Sequence, residues 1–347
     1  MHPDEPIVLP EVVIPVHKLH DQLHTIPTEA VEIGTINDDE GRPRQFVLKA
    51  KVGGRNRQLK FQNTGVKQHK PAPPMFPQEA WVQVDSKVFC SAIIKATKCI
   101  DKAPDRYKSM KDITLRFNTV VNEDIYVEVL GVNRATMVRT RINVECNQNT
   151  LDRGLNGVFI LDSRMAQTIR KACETLPEDT MLSFCRTRAR DDGQFGIGVT
   201  VNGFFYIEVR PKRVDLPMVD KIFSIAPTYH LEIKRSDLIS ALRQIVIQSG
   251  GNKNEVAFWT ISKDTLSIVS EDGTIVTGNI DIGCKYDGPT EEMAFMSGYV
   301  QIGLDMITSD LVIIGVTNRS IPLRIQEGAT DFYVMPAAKR RVCSDQR

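Results

Sequence analysis

Apolar and polar positions change their period along this chain in a recurring order. A short apolar run is followed by a stretch with apolar residues every three or four positions, then by three runs in which they mostly alternate. These periods predict a strand, an amphipathic helix of about three turns and three more strands. The unit occurs five times, starting near residues 12, 80, 157, 230 and 293. That period, roughly 60 to 80 residues, is longer than those of common solenoid repeats.

In the first copy Val12 to Val16 is a strand, and Val16, Leu19, Leu23 and Ile26 share a helix face. Strands are predicted near 29–36, 44–52 and 55–63, with Gly53-Gly54 as a turn. The second runs from Trp81 to Val84 into a helix capped by Asp85, with Val88, Ala92, Ala96 and Cys99 at helical spacing, then strands near 112–118, 124–132 and 135–145. The third opens at Val158 to Leu161. Asp162 caps a helix burying Met165, Ile169, Cys173 and Leu176, and Asn202-Gly203 signals a two-residue hairpin. The fourth starts at His230 to Ile233, continues with Leu238, Leu242 and Ile245 on its helix, and turns at Asp272-Gly273. The fifth starts near Met293 to Phe295, carries Val300, Leu304 and Ile307, and finishes on Phe332 to Met335.

One helix cannot cover the apolar face of three or four strands, so two units are expected to share a layer of two helices on a sheet. Pro-rich joints separate the copies into pairs. One spans Pro71 to Pro77, the other Leu216-Pro217 to Ala226-Pro227, both predicted to be extended. Copies two and three then form one domain and copies four and five another, with copy one unpaired.

Composition narrows the function classes. The chain has 347 residues, 41% hydrophobic and 25% charged, as in ordinary globular proteins. It contains no apolar run of the roughly 20 residues that span a bilayer, and Met1-His2-Pro3-Asp4-Glu5-Pro6 lacks a basic-then-apolar leader, so a cytoplasmic location is expected. The seven cysteines are scattered and form no Cys-x-x-Cys pair, which argues against disulfide and zinc frameworks. Lys plus Arg number 44 against 43 Asp plus Glu. Any nucleic-acid function must therefore rest on local patches.

The sharpest such patch runs from Arg42 to Lys70, with nine Lys or Arg and no Asp or Glu. A nucleic-acid contact is one reading, but several of its residues alternate with Phe46, Leu48, Leu59 and Phe61, as a half-solvated sheet face would also produce. His20 and His24 have metal-ligand spacing on the first helix, without an accompanying carboxylate motif. Gln194 to Gly203 is glycine-rich but precedes no helix that could receive a phosphate. There is no Gly-x-Ser-x-Gly and no cysteine-histidine arrangement, so the chain is read as a non-enzyme without a cofactor.

Several stretches, in order, resemble the bacterial DNA polymerase III β subunit, the β sliding clamp. Leu216-Pro217-Met218-Val219-Asp220-Lys221-Ile222-Phe223 is similar to that family's linker into its third domain. His230-Leu231-Glu232, Glu255 to Ser262 and Thr265 to Ser270 follow that domain's opening, and Tyr333-Val334-Met335-Pro336 its terminal Val-Met-Pro. Arg55-Asn56-Arg57 resembles the Arg-x-Arg strand in the second half of the first domain. The likeness covers about residues 8 to 339, with five repeats where the family has six and the first half of domain one lacking.

The resemblance implies an α+β DNA clamp fold, its strand-helix-three-strand units paired into domains with helices on the concave face and sheets outside. Residues 1–76 would hold a half domain and linker, 77–227 the middle domain, 228–339 the C-terminal domain and 340–347 a tail. The implied activity is that of a processivity factor, a homo-oligomer encircling double-stranded DNA without sequence preference and serving a polymerase and a clamp loader. Lys87, Lys95, Lys98, Lys102, Arg164, Arg170, Lys171, Lys234, Arg235 and Arg243 would line the hole, and Arg106-Tyr107 would touch template. Leu130, Val132, Asn133, Arg134, Ala135, Tyr333, Val334, Met335 and Pro336 would form a partner-peptide pocket. Lys49, Lys51, Arg55 and Arg57 would meet a neighbouring subunit. The alternative is a partial clamp of phage or mobile-element origin, acting as a partner-binding decoy or subunit without closing a ring.

Overall fold

A computed structural model describes residues 31–40, 43–52, 55–62, 82–100, 110–121, 124–144, 157–186, 197–201, 205–209, 219–252, 255–270 and 279–337. The chain divides into two compact units, residues 1–73 and 74–347. The first helix with its histidines, Gly53-Gly54, Lys102, Arg106, Tyr107, Gln194 to Gly196, Asn202-Gly203, Leu216-Pro217, Asp272-Gly273 and the tail lie outside the described residues.

In the first unit β1 (Val31–Asn37), β2 (Pro43–Val52) and β3 (Arg55–Gln62) form an antiparallel sheet in that order. The register pairs Phe46 with Phe61 and Leu48 with Leu59. This places Phe46, Leu48, Leu59 and Phe61 on one face, with Leu48 buried, while Lys49, Lys51 and Lys60 are exposed on the other, which also carries buried Val47.

The second unit begins with β4 (Val82–Asp85), α1 (Ser86–Lys98), β5 (Ile113–Val121), β6 (Asp124–Val132) and β7 (Thr136–Asn143). The next repeat supplies β8 (Gly157–Leu161), α2 (Ser163–Glu174), β9 (Met181–Arg186), β10 (Ile197–Val201) and β11 (Phe205–Val209). A short helix, α3 (Val219–Phe223), leads to β12 (Tyr229–Lys234), α4 (Arg235–Gln248), β13 (Val256–Ile261), β14 (Thr265–Ser270) and β15 (Ile280–Tyr286). The last repeat comprises β16 (Glu291–Met296), α5 (Ser297–Leu304), β17 (Leu311–Val316), β18 (Leu323–Glu327) and β19 (Thr330–Val334).

Paired repeats exchange their first strands. β4 joins β9 and β8 joins β5, and in the same way β12 joins β17 and β16 joins β13. Neither repeat of a pair can complete its sheet alone. α1 packs on α2 and α4 on α5, giving each pair two helices. The pairs are then welded by β7 and β19, antiparallel from Thr136↔Val334 to Thr140↔Thr330, which makes one twelve-stranded sheet.

Local chemistry explains the helix starts. Asp85 accepts a hydrogen bond from the Val88 amide at 2.7 Å and Asp162 from that of Arg164 at 2.8 Å. Ile93, Ala96, Ile169, Cys173, Leu238, Leu242, Ile245, Val300 and Leu304 are buried along the helices. Phe89 meets Phe184 at 5.2 Å and Trp259 meets Phe295 at 5.4 Å, each such buried ring contributing about 1.5–3 kcal/mol through burial. Gly131 lets β6 approach α1 so closely that a Cβ there would collide with the Ala96 carbonyl.

Several sequence expectations change. Val88 is 46% exposed, because Phe89, Cys90 and Ile93 instead carry α1 onto its neighbours. Ile307 is buried but lies beyond the end of α5 at Leu304, and Leu176 is half-buried beyond the end of α2 at Glu174. The second joint is not extended throughout: residues between its two prolines make α3, burying Val219 and Phe223 one turn apart. The β10–β11 hairpin pairs Val201 with Phe205, leaving three intervening residues rather than two. Among the described residues no helix is long and apolar enough to cross a membrane. Cys90, Cys99, Cys173, Cys185 and Cys284 are unbridged, and burial pushes the Cys99, Cys173 and Cys185 thiols up to about 12.

Candidate functional site

The weld between β7 and β19 presents two chemically different faces. On the helix side, the Thr140 and Thr330 hydroxyls lie 3.2 Å apart, buried, and Lys95 of α1 donates to Thr330 Oγ1 at 3.0 Å. Burial lowers the Lys95 pKa from its usual value, while nearby Glu327 opposes that shift.

The predicted DNA-facing cations divide here into two groups. Lys87 Nζ donates to the Cys173 and Glu174 carbonyls at the end of α2. At the end of α5, Lys98 donates to the Asp305 carbonyl at 3.5 Å and Arg235 Nε to that of Leu304 at 2.8 Å. These cations answer the carbonyls that a helix leaves unpaired at its C-terminus. Arg170 pairs with Glu174 one turn away on α2. Arg164, Lys171, Lys234 and Arg243 are exposed and carry no side-chain ion pair among the described residues.

The opposite face carries a chain of charges unpredictable from local sequence. Arg116 (β5), Glu128 (β6) and Arg141 (β7) occupy adjacent strands in register. Arg141 Nε donates to Glu128 Oε1 at 3.1 Å, and an Arg116 nitrogen lies 3.8 Å from Oε2. One step along, Asp331 of β19 faces Arg139 of β7. Arg324 of β18 donates to Asp331 Oδ1 at 2.6 and 3.0 Å. Arg116 also clasps Asp220 of α3 at 2.5 and 3.3 Å. Glu128 and Asp331 are almost wholly buried, so this satisfaction is what makes their burial tolerable.

Apolar residues beside this network include much of the predicted pocket. Leu130, Val132, Met137 and Tyr333 form a cluster closed by Val219 and Phe223 of α3. Phe223 sits 5.3 Å from the Tyr333 ring and 4.5 Å from the Arg139 guanidinium carbon. Leu130 and Val132 are therefore floor covered by the chain itself. Asn133 holds a turn, accepting from the Ala135 and Thr136 amides at 2.8 and 2.7 Å, and Arg134 is exposed beside it. The Met335 amide donates to the Ala135 carbonyl at 2.8 Å, while Val334 is buried and Met335 and Pro336 are half-buried.

A small groove adjoins the cluster at Tyr333. Ile222, Ile225, Pro227, Ile321 and Pro322 line it, and Thr317, Arg324 and Tyr333 contribute its polar groups. Except for Tyr333 these residues escaped prediction. Ile222 lies in the clamp-like linker, but nothing in the sequence shows that residues 321–324 fold against it.

In the first unit, exposed Lys49 lies 3.5 Å from Glu32, and Lys51 is exposed. On β3, Arg55 pairs with Val52 and Arg57 with Ala50, so both occupy register positions alternate to those of Lys49 and Lys51.

Repeats that exchange first strands, pack helices in pairs and weld domain to domain through their last strands define the sliding-clamp fold. Solved structures agree across nearly the whole chain. The DNA polymerase sliding clamp from Pseudomonas aeruginosa matches with TM-score 0.74 and 13% identity, covering 96% of this chain and 84% of that one. DNA polymerase III β subunit from Thermotoga maritima gives 0.73 and 12%, over 95% and 82%. The sliding clamp from Bacillus subtilis gives 0.72 and 10%, over 95% and 80%. No protein-family model and no curated protein matches the sequence. At these identities the likeness is one of fold, and the resemblance read in the sequence holds at that level.

Proposed function

We propose that this protein is a non-enzymatic, sliding-clamp-like processivity factor that self-associates around duplex DNA and tethers polymerase or repair partners. The observation that carries this reading is the β7–β19 weld: it joins successive domains by strand pairing, and the same kind of edge pairing between copies would extend the assembly. The β2–β3 strand pair, which carries Lys49, Lys51, Arg55 and Arg57, is the proposed subunit contact. Enclosure needs only weak phosphate attraction, so the near-zero net charge is compatible with it. Arg164, Lys171, Lys234 and Arg243 supply that attraction, joined by Lys87, Lys95, Lys98, Arg170 and Arg235 as they also brace helices. Lys102, Arg106 and Tyr107 complete the proposed DNA set. The groove beside Tyr333 is the proposed tether for a partner's apolar peptide.

Loading the protein on nicked circular DNA and then linearising it tests enclosure. Retention on the circle with loss from the linear form is expected. Equal retention on both would mean that the protein grips rather than encloses.

A further inference from the structure

We infer that the open edge of β16 is a strand-shaped seat for the segment Ala338 to Arg341 of the same chain, held by backbone pairing and by opposite charges. The inference is independent of the function just proposed.

β16 stands at one end of the twelve-strand order, with β13 as its only ladder partner among the described residues. The Ser297 amide bonds to the Glu255 carbonyl on the β13 side. Alternation therefore turns the amides of Met293 and Phe295 the same way, and the backbone groups of Glu292 and Ala294 toward the open edge. The chain itself reaches that edge. After β19 the Met335 amide bonds to Ala135, and the Ala337 amide then donates to the Ala294 carbonyl at 2.7 Å.

The preceding repeat shows how such a contact continues. Counting back from the helix starts at Arg235 and Ser297, Glu232 corresponds to Ala294 and His230 to Glu292. In that repeat the last strand runs antiparallel beside the first: Lys285 faces Glu232, and two residues on, the Asp287 amide donates to the His230 carbonyl at 3.3 Å. Ala337 thus holds the place of Lys285, and Lys339 falls in that of Asp287. Continued in step, the ladder sets Lys339 opposite Glu292 and Arg340 opposite Glu291.

Charge supports this register. Lys339, Arg340 and Arg341 are consecutive cations, and Glu291 and Glu292 open β16. Unlike charges directly opposed across antiparallel strands attract, as Lys285 and Glu232 do at 3.1 Å between β15 and β12. Seating the segment also closes an edge that strands of other molecules could otherwise extend.

Hydrogen exchange resolved to single amides by mass spectrometry, on the full chain and on a chain ending at Ala337, tests the seat. Protection of the Glu292 amide should fall at least roughly tenfold in the shortened chain. Met293 and Phe295, whose amides point to β13, should keep theirs and so report an intact sheet. In the full chain, Arg340→Glu should lower Glu292 protection about threefold, and adding Glu291→Lys should restore it. If shortening also loosens Met293 and Phe295, the charge reversal and its rescue decide the matter. Equal Glu292 protection in the full and shortened chains, or a charge reversal without effect, would overturn the inference. Protection that rises with protein concentration would overturn it too, because a second copy would then occupy the edge.

Discussion

Asp331 Oδ2 receives two hydrogen bonds from Arg139 across the weld, from Nη2 at 2.6 Å and Nε at 3.3 Å, and both side chains are less than a tenth exposed. The residues are 192 positions apart in sequence and belong to different repeat pairs. Their contact is the electrostatic centre of the junction.

Asp331→Ala should therefore cost about 3–5 kcal/mol, since it strands Arg139 in a buried site and releases Arg324 as well. Urea unfolding of the full chain checks this. A loss below about 1 kcal/mol would show that water reaches the pair freely.

Helix caps offer a sharper contrast. Asp85→Ala and Asp162→Ala should each destabilise by about 1 kcal/mol, because each removes an acceptor for a first-turn amide. α4 begins after Lys234, whose extended backbone suits a cap but whose side chain caps nothing. Lys234→Asp should stabilise by about 0.5–1 kcal/mol in the same assay. An unchanged unfolding midpoint would refute the assignment.

Glu327 provides a pH test. Burial pushes its carboxyl up, but Ser309 and Thr308 amides and hydroxyls all donate to Oε1, at 2.8 to 3.1 Å, and the net result lies below the usual 4.5. A depressed carboxylate contributes stability above its unfolded pKa and loses it as pH falls through the folded one. The advantage of the native protein over Glu327→Gln should be present at neutral pH and shrink below 4.5. Unfolding curves at pH 7 and at acid pH measure it; a pH-independent difference would contradict the linkage.

The division among the helix cations predicts two phenotypes. Arg164→Ala, Lys171→Ala and Arg243→Ala should each weaken duplex binding, lower the salt slope by about 1, and alter stability by no more than about 0.5 kcal/mol. Lys98→Ala and Arg235→Ala should instead lower stability, since they uncover carbonyls at the end of α5. Salt titrations paired with thermal unfolding separate these cases, and unchanged salt slopes in the first group would remove it from the DNA surface.

Much of the fold was legible locally. Alternation located β2, β3 and β6, and Asp85 and Asp162 marked helix starts because a cap needs an acceptor only three or two residues from its amide. Val88 was misplaced because periodicity finds an apolar face without saying which neighbours press on it. The pocket was legible in part. Tyr333 and its flanks were visible in the clamp-like terminus, whereas Ile321, Pro322 and Arg324 gain meaning only when β18 lies beside β19.

The amino-acid order alone determined the five repeats, their helix caps and the alternation of their strands, since each depends on interactions within a few residues. Tertiary structure decided which repeat lends its first strand to which, that β7 meets β19, and that Arg116, Glu128, Arg139 and Asp331 share one face. Strand edges offer the same backbone donors and acceptors to any partner, so burial and charge pairing across distant segments had to choose among them.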